Sequence, residues 1–142
     1  MSTVLRNILA VVAGLFVGSL ANMALVSLGP ALIPPPAGAD TTTAEGLRQA
    51  IHLFEPRHFV MPFLAHAVGT FAGALVAYLV AASHRATFAW AIGAVFLCGG
   101  IAASAMIPAP AWFIACDLVF AYLPMAWLAI RAGAFLGRKR AA

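Results

Sequence analysis

Few side chains in this 142-residue chain can do chemistry, and most of them lie inside or beside long apolar runs. Asn22, His66, Ser104 and Asp117 fall within such runs, while Glu55 and His58 stand three residues apart at the start of one. Polar and ionisable groups placed in hydrocarbon are costly and turn toward a protein interior or a cavity, so each of the six is a candidate ligand-binding residue. Three chemistries suit them. His66 and Asp117 can form a buried hydrogen-bonded pair that, with Asn22 and Ser104, fixes helix packing; such bonds average about 0.6 kcal/mol. The same pair can serve as a ligand or proton site working near neutral pH. Glu55, His58, His66 and Asp117 are also acceptable ligands for zinc or another divalent metal, although the paired Glu-x-x-His pattern of di-iron bundles is missing.

The elements that carry these groups follow from composition. Hydrophobic residues make up 64% of the chain and charged residues only 8%, with a mean hydropathy of +1.01. Soluble domains carry about 25% charged residues, and disordered chains combine low hydrophobicity with high charge, so both classes are excluded. The sequence reads as an all-α integral membrane protein, a single domain with four transmembrane helices. Stretches of about 20 apolar residues cross a bilayer core, and four occur, at about 5–28, 59–82, 86–107 and 112–130. Each must be helical, because lipid offers backbone amides no partner. Ser83-His84-Arg85 forms one tight joint and Pro108-Ala109-Pro110 another. Pro124 is expected to kink the fourth helix.

Lysine and arginine set the orientation. Arg6, Arg85, Arg131, Arg138, Lys139 and Arg140 mark one side; Arg48 and Arg57 mark the other, diluted by Asp40, Glu45 and Glu55. Both termini are therefore expected in the cytoplasm of a bacterial-type inner membrane, with the loop 29–58 outside and a short cytoplasmic tail at 131–142. The net charge of +4 is a topology signal; three basic residues at the C-terminus give no nucleic-acid face, only a weak contact to anionic lipid. Ala37-Gly38-Ala39 has the look of a signal-peptidase site, but the apolar run before it is about twice the usual 7–15 residues, so an uncleaved first span is expected.

Within the outer loop, Thr42-Thr43-Ala44-Glu45 has capping-box spacing, and Leu47, Ala50, Ile51 and Phe54 recur on one helical face. A short amphipathic helix over about 43–54, lying on the membrane surface, is the expectation. Small residues supply the seams between helices: Gly14-x-x-x-Gly18 in the first span, Gly69-x-x-x-Gly73 in the second, and Gly93, Gly99 and Gly100 in the third.

Depth brings the chemistry together. Counted from the outer helix ends at 1.5 Å per residue, Asn22, His66 and Asp117 all sit roughly 8–10 Å below the outer surface, with Ser104 slightly shallower. Asn22 continues the Gly14–Gly18 row and His66 stands over Gly69, Thr70 and Gly73, so both should face neighbouring helices. Glu55 and His58 would stand at the mouth. The expected site is an outward-facing polar pocket over a closed glycine floor. Cys98 and Cys116 are small apolar fillers without redox spacing. No phosphate-binding loop, nucleophile elbow or His-Glu-x-x-His motif is present. The expected function is an accessory subunit or small-ligand-binding module with membrane lipid around it and no resident cofactor. The alternatives are an oligomeric, proton-coupled transporter, alone or in a larger membrane complex, and a membrane enzyme acting on a lipid or quinone with His66 as general base.

Overall fold

The computed structural model describes residues 1–141, with side chains through Arg138; the Lys139 and Arg140 side chains that enter the charge count lie outside the described set. Among the described residues all regular structure is helical: α1 (Thr3–Leu32), α2 (Ala44–Ala50), α3 (Val60–Val80), α4 (Arg85–Met106), α5 (Ala111–Phe120) and α6 (Leu123–Ala141), with 3-10 turns at Ile51–Leu53 and Pro56–Phe59. Four rods are long and apolar enough to cross a membrane: α1, α3 with its leading turn, α4, and α5 with α6.

The first rod runs past the expected stop at Leu28. Pro30 sits inside α1 and the helix continues to Leu32, because proline removes one amide while its neighbours keep theirs; the Ile33 amide still reaches the Gly29 carbonyl at 2.8 Å. Termination comes from Pro34, which forces Ile33 into extended backbone (φ −130°, ψ 92°). The fourth span departs further from a single rod. It breaks at Ala121–Tyr122, where Ala121 closes α5 on the Asp117 carbonyl and α6 restarts with Pro124 in its first turn. Proline clashes with the carbonyl four residues back, so the helix ends at Phe120 instead of bending smoothly.

The loop helix caps one residue later than the spacing suggests. Thr43 accepts the Gly46 amide at 2.9 Å, Asp40 accepts from Thr42 and Thr43, and Glu45 accepts from Gln49 in place of closing a capping box. Hydrogen bonds from the Thr42 hydroxyl and amide hold the Asp40 carboxyl below the usual carboxylate range. The apolar face of α2 and its 3-10 extension is spent on the bundle, where Leu47, Ile51 and Phe54 line an internal cavity and Ala50 is buried. Arg48 then ties this segment to the end of α4, donating from Nε and a terminal nitrogen to the Met106 carbonyl at 3.1 and 2.6 Å.

Packing centres on α3, which touches α1, α4 and α6. The α1–α3 seam is backbone against backbone. A Cβ on Gly14 would stand 2.7 Å from the Gly73 carbonyl oxygen, and one on Gly18 2.7 Å from that of Gly69, closer than real Cβ contacts allow. Two of the sequence's small-residue motifs therefore interlock, the arrangement that substitutes for a hydrophobic driving force in lipid. On the other flank, Ala74, Ala77, Ala89, Ile92, Ala126 and Ala129 form a close-packed core of small side chains.

At the end carrying the termini, α1 clasps the turn after α3. Asn7 accepts the Ala82 amide at 2.9 Å and donates to the Ser83 hydroxyl at 3.0 Å, and Arg6 Nε donates to the Val80 carbonyl at 2.7 Å. Arg85 Nε serves the Ala81 carbonyl at 3.2 Å. The two arginine contacts satisfy carbonyls that a helix end leaves open. Between them His84 adopts the left-handed region (φ 48°), unusual for a non-glycine residue.

Candidate ligand site

His66 and Asp117, brought by α3 and α5, meet at the level that helix depth implies. The imidazole Nδ1 lies 2.9 and 3.0 Å from the two carboxylate oxygens. Asp117 is 4% exposed, and its second donor is Tyr122, whose hydroxyl reaches Oδ2 at 2.8 Å. The near-equal pair of distances is the geometry of an N–H shared by both oxygens of a carboxylate, so His66 donates through Nδ1. The His66 and Tyr122 rings also stack, with centroids 5.8 Å apart. The imidazole is thereby fixed in orientation, and in its neutral form the Nε2 lone pair is left for another partner.

Tyr122 is the member of this cluster that residue spacing does not reveal. On a continuous helix, residues five apart point about 140° away from each other. The break at Ala121 returns Tyr122 toward Asp117, and Gly100 on α4 makes room, since a Cβ there would collide with the phenol oxygen. The available signal was Pro124, which foretells a disruption but not which side chain it redirects.

A cavity of about 270 Å³ opens beside the pair. Its walls are mainly apolar, including Val26, Phe54, Phe59, Phe113, Ile114 and Leu118, and its polar lining comes from His58, His66, Ser104 and Asp117. An apolar chamber with a few placed polar groups takes the place of the polar pocket expected from sequence. That balance is the usual one for small-molecule sites. Phe59 packs against Phe113 and Trp112 (centroids 4.7 and 5.6 Å apart), forming an aromatic wall at the long-loop end.

The remaining candidates divide. His58 lines the cavity, is 7% exposed, and accepts the Glu55 amide on Nδ1 at 2.9 Å. Ser104 lines it as well, but its hydroxyl donates to the Ile101 carbonyl of its own helix at 2.8 Å. Glu55 turns to the exterior and pairs with Arg57 at 3.0 Å. Asn22 is drawn into the α1–α3 seam, where its Cβ would crowd a Cβ on Gly69 and its Oδ1 is buried with no hydrogen-bond partner; Val26, one turn on, takes its place on the cavity wall. The four weak metal candidates do not converge. Glu55 is outside, His66 spends Nδ1 on Asp117, and among the described residues no three His, Cys, Asp or Glu side chains form a metal-holding group.

No family model, curated protein or solved structure matches this chain. What the site can do must come from its own atoms. An imidazole held by a buried carboxylate and open at Nε2 can bind a hydroxyl, orient a polar headgroup or exchange a proton with a guest. Ser104 brings a hydroxyl to the same cavity as His66 and Asp117, but that hydroxyl donates to the Ile101 carbonyl and not to His66.

Proposed function

We propose that the protein is a four-span inner-membrane protein that binds a small, mostly apolar ligand in the chamber beside His66. One observation carries the reading: a buried Asp117 and Tyr122 orient His66 beside a mainly apolar cavity, with its Nε2 free of a protein partner. A merely structural His–Asp pair needs no chamber beside it. The excess of arginine and lysine at the end carrying the termini supports a cytoplasmic location for both termini, so that the chamber lies toward the outer face. The interlocked glycines of α1 and α3 close the bundle below it, which favours binding over conduction. A four-helix bundle of this kind suits an accessory subunit or a ligand-presenting module, alone, as a homo-oligomer or within a larger membrane complex.

The test is purification from native membranes in mild detergent, with mass spectrometry of co-purifying small molecules. Wild-type protein is expected to retain a ligand near one per chain that His66→Ala loses. An identical small-molecule inventory from the two proteins would defeat the proposal. A cysteine placed at Gly38 should react with an impermeant reagent from outside intact cells, and failure to do so would reverse the orientation.

A further inference from the structure

Two histidines line the one chamber, and local hydrogen bonds fix them in opposite tautomers. His58 Nδ1 accepts the backbone N–H of Glu55 at 2.9 Å, so its ring proton sits on Nε2. His66 Nδ1 donates to the Asp117 carboxylate, so its Nε2 carries the lone pair. Neither Nε2 has a hydrogen-bond partner among the described residues, and both rings line the cavity. With both imidazoles neutral, the chamber therefore offers a donor near the long-loop end and an acceptor deeper in. The eight-residue step from His58 to His66 corresponds to roughly 12 Å of helical rise.

Resting on the ligand-site reading above, we infer that the chamber selects an elongated amphiphile with opposite hydrogen-bonding character at its two ends: a carbonyl-type acceptor toward His58 and a hydroxyl donor toward His66. Size is consistent with that class. An apolar protein cavity of about 150 Å³ holds benzene, so about 270 Å³ accommodates roughly eleven non-hydrogen atoms, near the length of a ten-carbon chain. The walls between the two histidines are apolar, as the middle of such a molecule requires. Ser104 adds no competing donor, because its proton is committed to Ile101.

The experiment uses the full chain in nanodiscs and four probes of matched length: decane, 2-decanone, 1-decanol and 10-hydroxy-2-decanone, competed against one another by quenching of tryptophan emission. Each matched hydrogen bond is expected to strengthen binding about five-fold, placing the hydroxyketone first and decane last. His66→Phe should erase the hydroxyl advantage and keep the ketone advantage, and His58→Phe should do the reverse. Since His58 also caps the Glu55 amide, its variant can fail to fold. Nitrogen-15 spectra of histidine-labelled wild-type protein decide the matter independently, with one imidazole protonated on Nε2 and the other on Nδ1. Equal binding of all four probes, or two histidines in the same tautomer, overturns the inference while leaving an apolar binding chamber intact. No binding of any probe overturns the chamber itself.

Discussion

Replacing Asp117 by Asn isolates what the carboxylate does, because it changes one atom and almost no volume. The wild-type carboxylate accepts from both Tyr122 Oη and His66 Nδ1. An amide can accept on one side only and must donate on the other. If its nitrogen takes the Oδ2 position, it donates to Tyr122, and the phenol proton is stranded in a site where Tyr122 is 2% exposed. A buried unsatisfied donor costs about 1–3 kcal/mol. In the other orientation, the oxygen accepts the phenol proton and the amide nitrogen donates to a deprotonated Nδ1, and every group is satisfied. That arrangement should dominate by roughly 5- to 150-fold, the same energy expressed as a ratio. Asp117→Asn is thus expected to move the His66 ring proton from Nδ1 to Nε2, converting the deep acceptor into a donor. Nitrogen-15 correlation spectra of histidine-labelled protein read the change directly, with His58 as an internal reference. A His66 that keeps its proton on Nδ1 in the variant would refute the reasoning, since it would mean that Asp117 does not set the tautomer.

Other expectations follow from the packing and the loop. Gly73→Ala places a Cβ 2.6 Å from the Gly14 carbonyl, so α1 must move away; overpacking of this kind costs about 1–3 kcal/mol and should lower the detergent melting temperature by roughly 3–10 °C. Gly99→Ala, which meets nothing within 4 Å, should leave it unchanged, and equal melting of the two variants would discredit the seam. Arg48→Ala releases the loop segment from Met106 and should speed probe exchange from the chamber about five-fold, measured by stopped-flow tryptophan emission, with little change in fold. Because hydrogen bonds lower the folded-state value of Asp40, its contribution to the turn is present above the ordinary carboxylate value of about 3.9 and is lost as pH falls through the lower folded value. Amide exchange at Thr42 should therefore accelerate only in strong acid, and Asp40→Asn should remove that dependence.

The meeting of His66 with Asp117 was legible in the sequence, because depth along a straight helix follows from residue count. Asn22 shows where that logic stops. Its four-residue spacing from Gly18 correctly puts it on the α1–α3 face, yet that face closes backbone to backbone and leaves no room for a guest. The loop helix was legible as amphipathic from Leu47, Ile51 and Phe54, but periodicity does not say whether an apolar face meets lipid or protein. Tyr122 stayed hidden for a different reason. Its role depends on how the chain restarts after Ala121, a tertiary choice made jointly by Pro124 and the space over Gly100.

The α1–α3 seam joins segments that are far apart in time of synthesis. Gly14 emerges 59 residues before Gly73, and at about 5–20 residues per second the interval is roughly 3–12 s. During that window the grooved face of the first helix has nothing of its own chain to mate with. Lipid or another chain covers that face until its counterpart arrives, and a slower ribosome would lengthen the interval without altering the finished bundle.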